Sequence, residues 1–356
     1  MSRVLVAMSG GVDSSVAASL LVDAGHEVVG VTMRLWGGPA DSGCCSVSDV
    51  DDARRVADRL GVDHHVFNFG DEFERDVVAP YAEAHRHGRT PNPCIECNRH
   101  LKFDRLLDRA AQLGFDAVAT GHHARRVRVG DAWRIARGAD SAKDQSYVLY
   151  PLAGDALAHV WFPLGELTKS EVRAIAAAVG LPTAAKPDSQ DVCFIRSDAG
   201  RATFLGERIA LRPARVVEDG KVVGMVDAVE LVTIGQRRGL GISGGAAPRY
   251  VLDVTDTTVT VGERGGLLRE VERVDRIVWS ALPTGPIEAT VQCSAHGGPS
   301  RATVVPLDDG ARAEVRWHTP QRRVAPGQSV VFYERRPDGD AADAGFDTVV
   351  GGGIVM

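Results

Sequence analysis

Residues 9–15 read Ser-Gly-Gly-Val-Asp-Ser-Ser, directly after the apolar run RVLVAM (residues 3–8) and directly before a helical pattern, SSVAASLLVDAG. A strand, a paired-glycine turn and a helix start bring a row of backbone N–H groups and the positive end of a helix dipole to one point, a setting suited to phosphate. Two adjacent glycines allow close backbone approach, and Ser9, Ser14 and Ser15 add hydroxyl donors. Asp13 would repel phosphate unless it serves a bound Mg²⁺, so a magnesium-linked nucleotide site is the expectation. No GxxxxGK[ST] occurs, so the loop is not of the Walker A kind. The competing reading is an ordinary strand-to-helix turn.

Working outward, strand-length apolar runs alternate with helical patterns from residue 3 to about 120. This alternation implies an α/β domain with a parallel sheet covered on both faces and ligands at the carboxyl ends of its strands. Thr168-Lys-Ser-Glu171 reads as a capping box opening a helix that ends near Gly180. After about residue 205 short valine-rich runs broken by glycine and proline take over, as in YVLDVTDTTVTVG and RATVVPL, and predict small antiparallel β domains, barrels by their spacing. A second boundary falls near 270, after GERGG. The expected division is therefore 1–205 for the catalytic α/β domain, 206–270 for a small central β-rich domain and 271–356 for a C-terminal β-barrel.

The 356 residues exceed the roughly 250 that one core supports, and the composition, 44% hydrophobic and 25% charged, is that of a globular protein. No apolar stretch suits a signal peptide or a membrane span, so a cytoplasmic protein without a membrane partner is expected; a monomer is expected as well. The net charge of −6 argues weakly against nucleic acid. Locally the balance reverses: Arg125, Arg126, Arg128, Arg134 and Arg137 crowd one segment, with smaller clusters at Gln236-Arg237-Arg238 and Gln321-Arg322-Arg323. Charge alone leaves these as either solvated surface or RNA contacts. Six cysteines, unevenly spread, do not form a disulfide framework and read as ligands or reactive thiols. Cys94 and Cys97 stand in PNPCIECN, Cys193 in SQDVCFI, Cys44 and Cys45 are adjacent, and Cys293 reads as core. A C-x-x-C is half of a zinc site, but no second half is present.

SGGVDSS resembles the pyrophosphate-binding loop of the ATP pyrophosphatase (PP-loop) superfamily. GRTPNPCIECN, ATGHHAR, KDQSYVLY, SQDVCFI, TIGQRRGLGI, PGQSVVFY and the terminal GGGI, in this order, resemble the bacterial tRNA-specific 2-thiouridylase family. The resemblance implies a Rossmann-like PP-loop fold and an ATP-dependent exchange of the 2-oxygen of a wobble uridine for sulfur. It places ATP contacts on Ala7, Met8, Ser9, Gly10, Gly11, Val12, Asp13, Ser14, Met33 and Gly121. It makes Cys97 the nucleophile and Cys193 the persulfide carrier, thiols that can close a disulfide between them. Target-base and tRNA contacts fall on Asn92, Pro93, Cys94, His122, Lys143, Asp144, Gln145 and Gln328. The implied partners are tRNA and a persulfide donor, either a sulfur-relay protein or a cysteine desulfurase; the implied cofactors are ATP and Mg²⁺. From its place before Asn98, read as an N-cap, Cys97 is expected to gain acidity from a helix N-terminus.

The sequence also departs from the family pattern. Cys94 stands where the family commonly has aspartate, and Ser294-Ala295 replaces an arginine-tyrosine pair. Cys94, Cys97 and Cys193 together offer the three thiolates of a [4Fe-4S] cluster with an open iron, an alternative route to the same product. Other readings are a PP-loop ligase of the amidotransferase type and an RNA-binding module without turnover.

Overall fold

The computed structural model describes residues 1–35, 47–188, 192–195, 200–242, 248–335 and 347–356; Cys44 and Cys45 lie outside them. The chain forms two compact units. The first takes Met1–Val77, Pro93–Arg196 and Arg335–Val350, and the second takes Val78–Asn92, Ser197–Glu334 and Gly351–Met356.

In the first unit β1 (Arg3–Ala7), β2 (Glu27–Arg34), β3 (Asp63–Asn68), β4 (Ala117–Thr120), the hairpin β5 (Ala124–Val129) and β6 (Ala132–Arg137), and the short β7 (Val160–Trp161) follow one another. Five of them make a parallel sheet in the order β3-β2-β1-β4-β7, with β1 central between β2 and β4. Val4, Leu5 and Val6 are all but sealed from solvent, which is why VLVAM, after Arg3, reads as an unbroken apolar run: a parallel strand is covered on both faces. Helix α1 (Val12–Asp23) is buried along most of its length through small residues, Ser14, Ser15, Ala17, Ala18 and Ser19. They let it lie in one core with β1, α2 (Val47–Leu60) and the helix Lys169–Val179. The capping box forms as read: Thr168 accepts from the Glu171 backbone, Glu171 returns the bond, and Gly180 ends the helix at φ 72°.

The second unit contains β8 (Ala214–Glu218), β9 (Lys221–Val226), β10 (Tyr250–Val254) and β11 (Thr258–Gly262) in the order β10-β11-β8-β9. An all-antiparallel domain was the expectation, but β11 pairs with β8 in parallel. The long return from β9 through the turn Val229–Leu231 to β10 supplies the crossover that such a pairing requires. The strands β12 (Leu268–Trp279), β13 (Ile287–Gln292), β14 (Ser300–Leu307), β15 (Arg312–Arg322), β16 (Ser329–Arg335) and β17 (Asp347–Val355) follow in the order β12-β15-β14-β13-β16-β17, and β12 pairs back onto β17 to close a six-stranded barrel. The hairpin β5–β6 extends the same sheet from β17 through the pair Thr348–Ala136. Among the described residues no helix is long and apolar enough to cross a membrane.

Candidate active site

The loop 8–11 leaves β1 beside β2 and is tied there: the Met8 N–H donates to the Val31 carbonyl at 2.8 Å and the Thr32 hydroxyl donates to the Met8 carbonyl at 2.7 Å. Gly10 has φ 71°, and the space its Cβ would occupy is filled by the backbone carbonyl of Asp49, so a side chain there is excluded twice over. Gly11 occupies the N-cap position without any side-chain cap, which leaves the first N–H groups of α1 uncovered by side chains. Ser14 Oγ accepts from Ser9 N at 3.1 Å and donates to Gly11 O at 3.2 Å, and Ser15 Oγ donates to the same carbonyl at 2.8 Å. The hydroxyls thus shape the loop from inside. Gly121, at the end of β4, lies so close that a Cβ would sit 2.6 Å from Ser14 N. Only glycine lets that strand end reach the first turn of α1. Met8 and Met33 are buried, Met33 within β2 beside Phe67 of β3.

Asp13 holds the densest charge in this region. Both its oxygens lie 2.7 Å from Lys169 Nζ, and His123 Nε2 lies 3.3 Å from Oδ1. Burial alone raises the Asp13 carboxyl, but the bonds from His123 and Lys169 outweigh it, and the group is held below the usual aspartate value. Lys169 also reaches Asp188 at 2.9 Å, and Asp188 binds Lys143 and Arg173 at 2.8 Å each. Burial likewise opposes, and Lys143 and Lys169 drive, a fall in the Asp188 carboxyl to well below the ordinary range. The cluster therefore carries two ionised carboxylates bridged by one lysine. One ionised, partly exposed carboxylate beside a phosphate-suited loop fits Mg²⁺, which takes one or two protein carboxylates and completes its shell with substrate phosphate and water. Asp13 is the residue that would hold it, and Lys169 would turn toward the phosphates.

Lys169, Asp188 and His123 were not singled out from the sequence. A signal existed at Lys169, because a cation in the first turn opposes the helix dipole and is locally disfavoured. Such a misfit marks a position kept for another purpose.

The cysteine segment differs from its expectation. Pro93–Glu96 is already α-helical, Cys97–Arg105 continues as a π-helical stretch, and Leu106–Gln112 is α-helical again. Cys97 is thus buried inside a helical run, one turn past its start. Asn98 does not cap; its Nδ2 donates to the Val148 carbonyl at 3.0 Å. The acidity argument from a helix N-terminus fails for Cys97, since that effect fades within the first turn. Cys94 occupies the first turn and is half-buried. Cys193 lies half-buried in a tight turn in which Ile195 N donates to Val192 O and Phe194 wedges edge-on against Phe73, ring centres 5.6 Å apart.

Among the described residues no three His, Cys, Asp or Glu side chains gather closely enough to hold a metal ion. Cys94, Cys97 and Cys193 are therefore not gathered as a site for a single metal ion. Cys293 follows β13 rather than lying in it, and burial pushes its thiol up to about 12, unsuited to a nucleophile.

The positions assigned to tRNA divide. His122 is fully enclosed: Nδ1 pairs with Thr120 Oγ1 at 2.7 Å, Nε2 faces Lys102 at 3.5 Å, and Phe103 and Phe162 wall it in. Burial first, then Lys102, pushes its pKa well below 6.5, so it stays neutral. Asp144 serves its own loop, accepting from Gly138 N, Ser146 N and Arg137, while Gln145 exchanges bonds with the His123 backbone. Lys143 is the exposed member of this trio. In the second unit Gln328 donates to the Thr90 carbonyl, and Thr90 N donates to Pro326 O at 2.9 Å, which fixes the segment leading to Asn92.

The arginine hairpin proves largely self-engaged. Arg125 grips Glu166 with two nitrogens, Arg126 donates to the Ala158 carbonyl and covers the Trp133 ring, and Arg137 pairs with Asp144. Arg128, at the tip, is the exposed one.

Family models described as tRNA methyl transferase HUP domain, tRNA methyl transferase PRC-barrel domain and aminomethyltransferase beta-barrel domain match residues 2–197, 202–263 and 271–355. The tRNA-specific 2-thiouridylase MnmA of Mycolicibacterium smegmatis is 49% identical over 351 residues, covering 95% of this chain and 97% of its own. The protein of the same name from Roseiflexus castenholzii is 45% identical over 361 residues, covering 94% and 96%. Among solved structures, the U34-tRNA thiolase NcsA from Methanococcus maripaludis with its [4Fe-4S] cluster matches at TM-score 0.37 and 19% identity, over 58% of this chain and 63% of that one, a likeness too slight to bear on the site. With full-length identity near one half to relatives that carry one name, the chain belongs to the tRNA-specific 2-thiouridylase family.

Proposed function

We propose that this protein uses ATP to replace the 2-oxygen of the wobble uridine of tRNA by sulfur, in the cytoplasm. The observation that carries the reading is the Asp13–Lys169 pair set at the uncapped start of α1, in a chain of this family. A uracil carbonyl oxygen leaves poorly. Its attack on the α-phosphate of ATP expels pyrophosphate and converts it to an adenylate ester, from which AMP departs. The uncovered N–H groups of α1 and the Lys169 ammonium oppose the charge of the phosphates, and Mg²⁺ on Asp13 would supply further charge neutralisation there. Asn92 immediately precedes the cysteine helix and Pro93 opens it, and both are suited to the target base.

The sulfur comes from a persulfide on Cys193, loaded by a relay protein or cysteine desulfurase. Its terminal sulfur attacks C2 of the adenylated uridine and AMP leaves. The Cys97 thiolate then attacks Cys193 Sγ, breaking the bond to the transferred sulfur, so that 2-thiouridine is released and a Cys97–Cys193 disulfide remains for an external thiol to reduce. Cys94 is an accessory thiol in this scheme.

Anaerobic removal of metal, followed by ATP-Mg²⁺, a persulfide donor and unmodified tRNA, tests the reading through 2-thiouridine measured by nucleoside mass spectrometry. Product formed by iron-free protein supports it; product formed only after iron–sulfur reconstitution refutes the persulfide route, and none in either case refutes the function. Cys193→Ala is expected to keep pyrophosphate release while thiolation stops.

A further inference from the structure

Two arginine clusters that the reaction leaves unused meet in the second unit. The Gly235 N–H donates to the Val251 carbonyl at 2.7 Å and the Val251 N–H to the Gln236 carbonyl at 3.0 Å, which lays the Gln236-Arg237-Arg238 segment along β10. Arg322, the last residue of β15, donates to the Gly235 carbonyl. Around this junction opens a cavity of about 450 Å³, with Tyr250, Arg264, Gln321 and Arg322 at its walls and Leu267 and Pro320 as apolar lining. That volume lies within the roughly 300–1,000 Å³ typical of small-ligand sites.

The charge here is uncompensated. Arg237, Arg238, Arg264 and Arg322 are exposed, and none of the four pairs with a carboxylate among the described residues. The nearby Asp253 is already matched by Arg323 at 3.4 Å. Gln236 holds the loop in shape, accepting from Thr233 N and donating to the Arg238 carbonyl, so the two loop arginines project from an ordered turn. This contrasts with the hairpin arginines of the first unit, which are turned onto their own fold. Two unmatched guanidiniums at the cavity wall, Arg264 and Arg322, with Arg237 and Arg238 following in the segment that Arg322 contacts at Gly235, exceed what one small anion needs and suit a chain of phosphates. A half-buried Tyr250 ring at the wall adds a stacking face, and apolar Leu267 and Pro320 suit the flat surface of a base.

We propose that this cavity is a nucleotide subsite for the RNA substrate: Arg264 and Arg322 receive a backbone phosphate, Tyr250 stacks the base, and Arg237 and Arg238 carry the adjoining backbone. Every residue of the cavity belongs to the second unit, whereas Asp13, Cys97 and Cys193 belong to the first. The inference rests on the tRNA reading above and extends it to a contact outside the reacting centre.

The test titrates labelled, unmodified tRNA against the full-length protein at several salt concentrations, comparing Arg264→Glu with Arg301→Glu. Arg301 is an exposed arginine of β14, so its reversal changes net charge equally. Arg264→Glu is expected to weaken tRNA binding about tenfold and to lower the slope of log affinity against log salt by about one, while Arg301→Glu stays near wild type. Tyr250→Ala should weaken binding several-fold and Tyr250→Phe should not. Equal behaviour of the two charge reversals, weakened or unweakened, overturns the subsite. Thiolation by the wild type is measured alongside: its absence refutes the function, whereas thiolation with an indifferent Arg264→Glu refutes the subsite alone.

Discussion

Asp13 and Glu272 are both carboxylates drawn out of water, one in each unit, yet they shift in opposite directions. At Asp13 burial is overcome by a lysine on both oxygens and a histidine beside one, and the acid is strengthened. At Glu272, 8% exposed within β12, burial prevails over a single backbone bond from Val324 N and the more distant Arg323 and Arg269, and the acid is weakened. Burial is common to the two; ammonium contact is not. A partly buried acid stays charged where a full cation meets its oxygens.

The contrast can be broken from the Asp13 side with the largest effect. Asp13→Ala should lower ATP-dependent pyrophosphate release by about a hundredfold or more, through lost charge control at the phosphates, while tRNA affinity is unchanged. Pyrophosphate release at the wild-type rate would show that the cluster is only structural. Lys169→Met comes next. It strips the shared cation from Asp13 and Asp188 and should cost about 2 kcal/mol in urea unfolding, with slower pyrophosphate release. Stability equal to wild type would mean that Lys143, Arg173 and His123 suffice. In the wild type, because Asp13 titrates below its unfolded value of 3.8, its contribution to stability is present above that pH and is lost as pH falls through the folded value.

The smallest effect is expected at Glu272. Its folded pKa lies above the unfolded 4.5, so stability falls as pH rises from 4.5 through the folded value. Glu272→Gln keeps the acceptor for Val324 N and removes that charge; a gain on the order of 1 kcal/mol at pH 7, absent at pH 4, is expected from denaturant curves. An equal gain at both pH values would assign the effect to packing instead.

Much of the fold is legible in local chemistry. The unbroken apolar residues 4–8 and the glycine pair that follows Ser9 require a covered parallel strand and a tight turn, and Thr168 with Glu171 fixes a helix start through bonds made within four residues. The Asn98 cap misled because Pro93 had already opened the helix and the Asn98 amide found a partner 50 residues away, at Val148. The arginine hairpin, which charge alone left open, shows a related limit: Glu166 and the Ala158 carbonyl, distant in sequence, take up guanidiniums that look free in the one-dimensional pattern.

The sequence by itself determined the glycine turn before α1 and the β-rich character of the region after about residue 205, since turns, caps and periodicity are properties of neighbouring residues. Only the tertiary structure decided which charges meet. Lys169 stands 156 residues from Asp13, and Arg322 stands 87 from Gly235. No local propensity records such pairings, because the energy of an ionised group depends on what the folded chain brings within a few ångströms of it.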